Sequence, residues 1–396
     1  MNKKILVVGA GTSQVNSIKH AVSLGFEIFA IDGDINAPGF SCAKEFRSGD
    51  IKNSRNLIKA AMDYGVNGVT SFSTDVPIVA IAETVSHLNL PGISIDQAKL
   101  SVNKYLQRKL LLDSEIPAPR FEAFHSIEDG LSCLSNFSDK CVIKPIDASG
   151  SRGVRFSSND PQTNSKYCAE ALKYSLSGIG IIEDFVAGQE IAIDGFVING
   201  VTSVLCISDK KRTDPPYLLD MELLFPSKIS SSVSKEVNSL ATQIIQASKI
   251  QNSPFHMEMI LSKDGPILVE FGARGAGFNV YDIIIPFVTG IDTIEAQLNQ
   301  CIGNKISLGE IHTKSAYLYF LSSSKKGVLR RVKGEKEILS LEGISRFKMF
   351  KKEGESVNKL TSGSDRIGYI LALTGSKEES FEAINKAKNL LELTII

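Results

Sequence analysis

The 396-residue sequence predicts a mixed α/β and α+β protein that opens with a Rossmann-like unit. The first 95 residues alternate short apolar strands with helical patterns, whereas the residues from about 314 onward alternate short strands with turns. The first pattern favours a parallel sheet covered by helices, and the second favours a small antiparallel α+β lobe. We therefore expect three units, at 1–95, 96–305 and 306–396, with no ligand constellation in the last.

Composition limits the classes of partner. Lys plus Arg and Asp plus Glu number 44 each, so no excess of charge favours nucleic acid. No apolar run approaches the roughly 20 residues of a membrane span, and the first strand leaves no room for a signal peptide. The six cysteines show no C-x-x-C spacing, which is typical of free thiols in a reducing compartment. We expect a cytoplasmic protein with small-molecule partners and neither nucleic-acid nor membrane partners.

The first strand ends in a glycine-containing turn, Gly9-Ala10-Gly11. A dinucleotide fingerprint needs a third glycine where Gln14 stands, so the sequence favours a tight turn whose helix faces a substrate anion over an NAD or FAD site. Asp32 and Asp34 follow the second strand. They either cap this turn or bind a ribose or a substrate amine.

Residues 96–116 form a boundary segment. An amphipathic helix is predicted over 101–113, with Leu106, Leu110 and Leu111 on one stripe. Lys104, near the start of this helix, is a candidate anion contact. The alternative is a solvated helix lysine.

The next unit opens with a strand at 141–145 that passes into the small residues Ser149-Gly150-Ser151-Arg152-Gly153. Such a turn lets successive backbone N–H groups approach phosphate oxygens, while Lys144 supplies a point charge at its base. The spacing differs from that of a Walker loop. The alternative is a plain surface turn.

An apolar strand then runs into Glu183-Asp184-Phe185-Val186 and an alternating strand from Glu190 to Ile198. The backbone edge at Asp184 to Val186 could pair with an adenine, and Glu190 could take ribose hydroxyls. Residues 209–226 form a polar, proline-bearing loop of a length typical of functional lids. Its cluster of Lys210, Lys211 and Arg212 either reaches phosphate or carboxylate, or is a solvated charge cluster.

Residues 255–277 predict a β-hairpin that carries two glutamates. If Lys263-Asp264-Gly265 is a three-residue loop, Ser262 pairs with Pro266, and the same register places Glu258 opposite Glu270. Opposed like charges are destabilising unless something neutralises them, and Mg²⁺ takes oxygen ligands. The alternative is a surface hairpin with two solvated glutamates.

Two further residues of this hairpin are candidates. Arg274, among three glycines, could hold an anion beside such a metal. His256 lies two residues before Glu258 and hence on the same strand face, where it either touches the site or packs as an ordinary strand histidine.

With these features in this order, the chain resembles the ATP-grasp superfamily over essentially its full length. In particular, it resembles the branch that contains biotin carboxylase, carbamoyl-phosphate synthetase halves and ATP-dependent amino-acid ligases. The implied units are a Rossmann-like lobe, an ATP-grasp domain and a carboxy-terminal lobe. The resemblance assigns the following residues: Lys104 and Lys144 to ATP phosphates; Ser149, Gly150, Ser151 and Gly153 to a mobile loop over them; Glu183, Asp184, Phe185 and Val186 to adenine; Glu190 to ribose; and Glu258 and Glu270 to Mg²⁺, or Mn²⁺ instead.

The resemblance also implies the chemistry. A substrate carboxylate would attack the γ-phosphate of ATP, and an amine would displace phosphate from the acyl phosphate, with Arg274 and Lys211 as the catalytic candidates. The alternatives are a carboxylase that uses bicarbonate and an inactive nucleotide-binding regulator. We expect carboxylate and amine substrates and a homodimer. The family often has E-x-N-x-R where this chain has EFGAR, so Gly272 leaves the second metal site in question, and Asn279 is a candidate substitute.

Overall fold

The computed structural model describes residues 3–137, 140–214 and 217–396. The amino-terminal unit is a parallel four-stranded sheet in the order β3-β2-β1-β4, with helices on its faces, which confirms the Rossmann-like prediction. Its elements in chain order are β1 (Lys4–Val8), α1 (Val15–Ser23), β2 (Glu27–Asp32), β3 (Glu45–Ser48), α2 (Ser54–Tyr64), β4 (Gly68–Thr70), α3 (Ile78–His87) and α4 (Ile95–Val102).

The first turn is filled by protein groups. Gln14 is buried, its Oε1 accepts the Phe72 N–H at 3.2 Å, and its side chain occupies the space beside Gly9 where another side chain would go. Asp32 accepts the N–H groups of Ala10, at 2.6 Å, and of Asp34, at 2.9 Å. The capping interpretation of Asp32 is therefore confirmed.

The central unit begins with a second four-stranded sheet, in the order β5-β8-β6-β7 and antiparallel throughout. Its elements are α5 (Lys104–Asp113), β5 (Phe121–Phe124), α6 (Ile127–Ser135), β6 (Cys141–Pro145), β7 (Arg155–Phe156), α7 (Pro161–Tyr174) and β8 (Gly180–Asp184).

The prediction of a single helix over 101–113 is wrong. Asn103 has an extended backbone and caps α5 by accepting the Leu106 N–H, so it separates α4 from α5. Leu106 is exposed, and the buried face of α5 instead carries Lys104, Gln107, Arg108 and Leu111. Lys104 and Arg108 of this face line a cavity, and Gln107 donates to the Phe271 carbonyl at 2.8 Å.

A mixed-length antiparallel sheet of eight strands, in the order β13-β12-β9-β10-β11-β14-β18-β16, forms the centre of the molecule. Its strands from the central unit are β9 (Gln189–Ile198), β10 (Val201–Arg212), β11 (Asp220–Phe225), β12 (Asn252–Ser262) and β13 (Gly265–Gly272). The helices α8 (Ser231–Ser248), α9 (Ile285–Thr289) and α10 (Thr293–Cys301) pack against this sheet or beside it.

The carboxy-terminal elements are β14 (Ser315–Leu321), β15 (Gly327–Lys333), α11 (Glu335–Leu339), β16 (Ile344–Met349), β17 (Ser356–Val357), β18 (Gly368–Thr374), α12 (Lys377–Leu390) and β19 (Glu392–Ile395). Strand β11 pairs with β14, so the large sheet continues across the predicted boundary at 305/306. The last unit is α+β, as predicted, but it shares its main sheet with the central unit. None of the described helices is long and apolar enough to cross a membrane.

Two predictions about this sheet require correction. Most of the loop predicted at 209–226 is the strand pair β10 and β11, and residues 215–216 lie outside the described residues. The hairpin turn is also tighter than predicted, because Ser262 pairs with Gly265 rather than with Pro266. A β-bulge after Glu258 leaves Val269 unpaired and restores the register.

Candidate active site

One face of the eight-stranded sheet carries a group of charged side chains. Helix α8 packs against the other face, where Ile193 and Met257 belong to the same buried cluster as its apolar residues. Because side chains alternate along a strand, Asp194 on β9 and His256 and Glu258 on β12 face away from α8. The α8 side is thus the apolar core, and the opposite side is available to ligands.

The Glu258 carboxylate lies among cations. Lys210 Nζ is 2.7 Å from its Oε1, Arg212 Nη2 is 3.3 Å from its Oε2, and His256 Nε2 is 3.8 Å from its Oε1. Burial raises the pKa of Glu258, but Lys210, His256 and Arg212 together outweigh burial and hold that pKa well below its ordinary value. Glu258 is therefore ionised at neutral pH.

Glu270 pairs with Glu258 in the register of β12 and β13, as predicted. Its Oε2 is 2.5 Å from Lys104 Nζ, which also donates to the Ala148 carbonyl at 2.9 Å. Each carboxylate therefore has its own lysine, Lys104 from α5 and Lys210 from β10. This arrangement removes the repulsion that two opposed carboxylates would otherwise have.

The two carboxylates fit a hard cation. The side chains of Glu258 and Glu270 are 16% and 27% exposed, so both remain within reach of a ligand. Among the described residues no three His, Cys, Asp or Glu side chains cluster as a metal site. An ion held here would take its other oxygen ligands from water and a phosphate group, which is the usual mode of Mg²⁺.

Gly272 stands where the family pattern often has an asparagine, and Asp75 of the amino-terminal unit lies beside it. A side chain at Gly272 would approach Asp75 Oδ1 to 3.1 Å. Asp75 in turn pairs with Arg274 at two points, Nε to Oδ1 at 2.6 Å and Nη2 to Oδ2 at 2.8 Å. Asn279 donates to Tyr369 Oη at 3.3 Å and so is directed towards the carboxy-terminal unit, which argues against it as the substitute ligand.

A buried ion-pair cluster lies at the base of the small-residue loop. Lys144 Nζ is 2.7 Å from Glu183 Oε2, and Arg108 Nη2 donates to the same oxygen at 3.0 Å and to the Val269 carbonyl at 2.7 Å. Burial and the charges of Arg108 and Lys104 lower the pKa of Lys144 to about 8, although Glu183 opposes this shift. Lys144 is thus a buried ammonium that titrates near physiological pH.

The small residues after β6 form a turn, as the sequence predicts, and three of them have a left-handed backbone. Gly150, Ser151 and Gly153 have left-handed φ angles of 69°, 56° and 71°. A side chain at Gly153 would meet Tyr174 at 3.0 Å, whereas nothing lies within 4 Å of one at Gly150. The tip at Gly150 is therefore open, and the end at Gly153 is packed against α7.

A cavity of about 420 Å³, which we call the hinge cavity, lies between the two antiparallel sheets. Phe156 and Phe185 line it and pack edge to face at 5.2 Å, and Lys140 lies over the Phe156 ring at 4.0 Å. The backbone of Val186, which also lines it, has no hydrogen-bond partner among the described residues. A flat apolar ring with a polar edge would fit these groups.

Next to the hinge cavity, the polar face of β10 differs from the prediction. Arg212 pairs with Glu190, and Lys210 Nζ lies 3.8 Å from the same carboxylate. Burial raises the pKa of Glu190 to about 7, although Arg212 and Lys210 oppose this shift. Lys211 is 72% exposed and pairs with Glu222 at 2.8 Å. Lys211 lines the hinge cavity, but its ammonium is held by Glu222, whereas strand alternation turns Lys210 and Arg212 towards Glu190 and Glu258; we therefore replace Lys211 by Lys210 as the catalytic candidate.

His256 has the strand face predicted for it. Its Nδ1 is 3.0 Å from Asp194 Oδ1, and its other nitrogen approaches Glu258. Burial lowers the pKa of His256, but Asp194 and Glu258 outweigh burial and raise the pKa to about 9. His256 is therefore cationic at neutral pH.

A second cavity, of about 490 Å³, adjoins the first, and we call it the sheet cavity. It is lined by Arg152, Asp194, His256, Arg274 and Arg366, among others. The two cavities share Gly150, Ser151, Lys210, Glu258 and Glu270. The opposed glutamates and the loop tip thus stand where the two cavities meet.

Several site residues were not singled out from the sequence. Arg108 lies on the buried face of α5, which is not the leucine stripe that was predicted to be buried, and Asp75 comes from a different unit. Lys210 and Arg212 were named only as members of a charged cluster in a loop, and assigning 209–212 to a strand would have separated them from Lys211 by alternation. For Arg366 the sequence offers no local signal, since its contacts are distant in the chain.

Comparison with known families identifies two regions. Residues 137–282 match the ATP-grasp domain, and residues 319–395 match the L-amino acid ligase C-terminal domain 2. The first match contains the loop at 149–153, the hinge at 183–186 and the hairpin at 252–272. The second contains Arg366.

Individual proteins agree with these matches. A phosphoribosylamine–glycine ligase of Methanosphaera stadtmanae is 24% identical over 300 residues, which cover 68% of this chain and 67% of that protein. Dapdiamide A synthase of Enterobacter agglomerans is 25% identical over 258 residues, covering 61% and 59%. The crystal structure of an L-amino acid ligase from Bacillus licheniformis superposes with a TM-score of 0.86 at 21% identity, covering 100% of this chain and 99% of that chain, which shows the shared fold.

Proposed function

Because this chain is a member of the ATP-grasp superfamily, we propose that it is an ATP-dependent carboxylate–amine ligase that joins an amino acid or small acid to an amine. One observation carries the proposal: two cavities meet at the opposed carboxylates of Glu258 and Glu270. Ligation needs such an arrangement, because a phosphoryl donor and two small substrates must be brought to one point.

The hinge cavity is the ATP site in this proposal. The adenine would pack against Phe156 and Phe185 with its edge on the Val186 backbone. The phosphates would lie against Lys144 and under the loop at 149–153, whose open tip at Gly150 permits close approach of backbone N–H groups. Glu190, which faces the same cavity, is the group we assign to the ribose.

Glu258 and Glu270 would hold Mg²⁺, or Mn²⁺ in its place. When bound, the ion neutralises phosphate charge and aligns the phosphoryl group. The protein's own contribution is the charge balance around the two carboxylates, because Lys104 pairs with Glu270 and Lys210 pairs with Glu258.

The reaction would proceed in two transfers. The donor carboxylate attacks the γ-phosphorus, ADP leaves, and an acyl phosphate forms; the amine then attacks the acyl carbon, and phosphate leaves as the amide forms. Arg274, held by Asp75, and Lys210 are positioned to neutralise the anions in these steps. Positioning and charge neutralisation account for such transfers without a covalent enzyme group.

The match of residues 319–395 supports an amino acid as a substrate over bicarbonate. The test is phosphate release with ATP, Mg²⁺ and pairs of amino acids, with the product identified by mass spectrometry. A ligase releases ADP and phosphate only when both substrates are present. Bicarbonate-dependent release would favour a carboxylase, and ATP binding without any turnover would favour a regulator.

Two finer expectations belong to the same proposal. We expect the protein to act as a homodimer in the cytoplasm. Light scattering coupled to size-exclusion chromatography would measure the first, and fractionation of cells that express the protein would measure the second.

A further inference from the structure

One buried arginine of the sheet cavity has no carboxylate partner in the part of the chain that the structure describes. Arg366 lies between a short 3₁₀ turn and β18, is 6% exposed, and lines this cavity. Its planar group stacks on the Phe320 ring at 3.9 Å and lies 5.1 Å from the Phe278 ring. The aromatic contacts fix the plane of the guanidinium, so its position does not depend on an ion pair.

The hydrogen bonds of Arg366 are largely unused. A guanidinium has five N–H donors. Among residues 3–137, 140–214 and 217–396, Arg366 uses one of them, from Nη2 to the Asp220 carbonyl, and its Nε has no partner. The adjacent Asp365 accepts instead from the N–H groups of Thr361 and Ser362. A buried cation without an anionic partner is costly to retain, which points to a ligand that supplies the anion.

The other cations of the sheet cavity that lie on or beside its strands are already neutralised. Lys210 pairs with Glu258 and Asp220, Arg274 pairs with Asp75, and His256 pairs with Asp194. Arg152 also lacks a carboxylate, but it is exposed on the loop next to the phosphate region. Among the described residues of this cavity, Arg366 is thus the buried cation that is free to take an external carboxylate.

The position of Arg366 indicates which carboxylate this is. Glu258, Glu270 and the tip of the loop line both cavities, so phosphoryl transfer to the donor carboxylate belongs at that junction. Arg366 lines the sheet cavity and not the hinge cavity. An anion on Arg366 is therefore separate from the carboxylate that is activated.

We propose that Arg366 binds the free carboxylate of the acceptor substrate, so that the acceptor is an amino acid rather than a simple amine. This inference rests on the proposed ligase function. A two-point contact between guanidinium and carboxylate would orient the acceptor, with its amine turned towards the shared residues at the junction of the cavities. The carboxy-terminal unit thereby selects the acceptor, while the central unit carries out phosphoryl transfer.

The first test compares acceptors. Phosphate release is screened with the twenty proteinogenic L-amino acids, and the best acceptor is then compared with its own carboxamide. The wild-type protein should prefer the free amino acid by about 10- to 100-fold in kcat/KM, the range expected for hydrogen bonds to a charged group. Arg366→Gln should remove this preference and leave the KM for ATP within about 3-fold.

Two further variants keep the test decisive. Arg330→Gln makes the same change at an exposed arginine of the same unit and should leave the preference unchanged. Arg366→Lys retains the charge but not the two-point geometry, so it should keep part of the preference; it also replaces Arg366→Gln if the latter does not fold. An unchanged preference in Arg366→Gln and Arg366→Lys, or a wild-type protein that accepts the carboxamide equally well, would overturn the proposal.

A binding measurement separates this inference from the ligase function itself. The wild-type protein and Arg366→Lys are saturated with a non-hydrolysable ATP analogue and Mg²⁺ and titrated with the same amino acids by calorimetry. If no pair supports phosphate release, the ligase proposal fails, yet a 10-fold or greater loss of amino-acid affinity in Arg366→Lys would still support the role of Arg366. Equal affinities, or no binding to the wild-type protein, would overturn it.

Discussion

Asp75 and Arg274 lie 199 residues apart in the chain and form a two-point ion pair that joins the amino-terminal unit to the central hairpin. Burial raises the pKa of Asp75, but the charge and hydrogen bonds of Arg274 outweigh burial and hold the pKa below its ordinary value. The pair fills the space over Gly272 and fixes the guanidinium at the edge of the sheet cavity. Five predictions follow from this pair and from the groups around it.

Replacing Asp75 by Asn should impair both rate and stability. Arg274 would lose its anionic partner and its fixed orientation, so kcat/KM should fall on the order of 10²-fold, and the free energy of unfolding should fall by about 1–3 kcal/mol. Steady-state kinetics and urea unfolding measure the two effects. Asp63→Asn breaks the exposed Arg47–Asp63 pair and should cost less than about 1 kcal/mol. Equal effects of the two substitutions would contradict a special role for Asp75.

Glu258→Gln and Glu270→Gln should each reduce turnover by at least about 10²-fold, because either change removes one of the two carboxylates that we propose to hold the metal. The Mg²⁺ concentration for half-maximal rate should rise in any variant that retains measurable activity. Glu222→Gln is the control, since Glu222 pairs with Lys211 and lines neither cavity. Near-normal rates in either of the first two variants would refute the metal assignment.

Lys210 and Lys211 provide a matched pair of adjacent lysines. Lys210→Met leaves Glu258 without its nearest cation, so activity should fall on the order of 10²-fold. Lys211→Met removes an exposed side chain and should change activity by less than about 2-fold. Rates of phosphate release for the two variants decide which lysine takes part in the reaction. A larger loss of activity in Lys211→Met than in Lys210→Met would restore Lys211 as the catalytic candidate.

His256 should make stability depend on pH. Its pKa is raised to about 9 in the folded protein, so the stabilisation is fully present below its unfolded value near 6.5 and is lost as the pH rises through about 9. The difference in unfolding free energy between wild type and His256→Gln should therefore decrease by about 2–3 kcal/mol between pH 6 and pH 10. Denaturant unfolding at several pH values measures this difference, and parallel curves would exclude the ion pair with Asp194.

Nucleotide binding should take up a proton near pH 8. The pKa of Lys144 is about 8 in the free protein, and adjacent phosphates would raise it, so roughly half a proton should be bound at that pH. Calorimetric titration with ATP in buffers of different ionisation enthalpy measures the uptake. Lys144→Arg, which cannot titrate in this range, should abolish it. Uptake that persists in Lys144→Arg would assign the proton to another group, such as Glu190.

Local sequence patterns predicted the elements and their order well. Strand β6 has the predicted bounds of 141 and 145, and alternation along β12 correctly placed His256 and Glu258 on one face. These features depend on neighbours in the chain. The opposition of Glu258 and Glu270 was predicted through a turn that the protein does not form, and a bulge at Val269 compensates for the difference.

The remaining features depend on contacts between distant residues. The α5 face that carries Arg108 is polar because a cavity lies beneath it, and hydrophobic periodicity alone cannot indicate this. Asp75 and Arg366 reach the site from units on either side of the central one. Their partners are 199 and 146 residues away, respectively, so the sequence near each residue contains no signal of its role.

The eight-stranded sheet has a practical consequence for protein engineering. Exchanging the carboxy-terminal segment for that of a relative, in order to change the acceptor, cannot be done by cutting at residue 306, since β14 is a central strand bonded to β11 and β18. A working chimaera must reproduce the pairing of Glu222 with Tyr319 and of Phe225 with Ala316. Recombination libraries should therefore keep both partners of each strand pair from one parent and vary only the loop that carries Arg366.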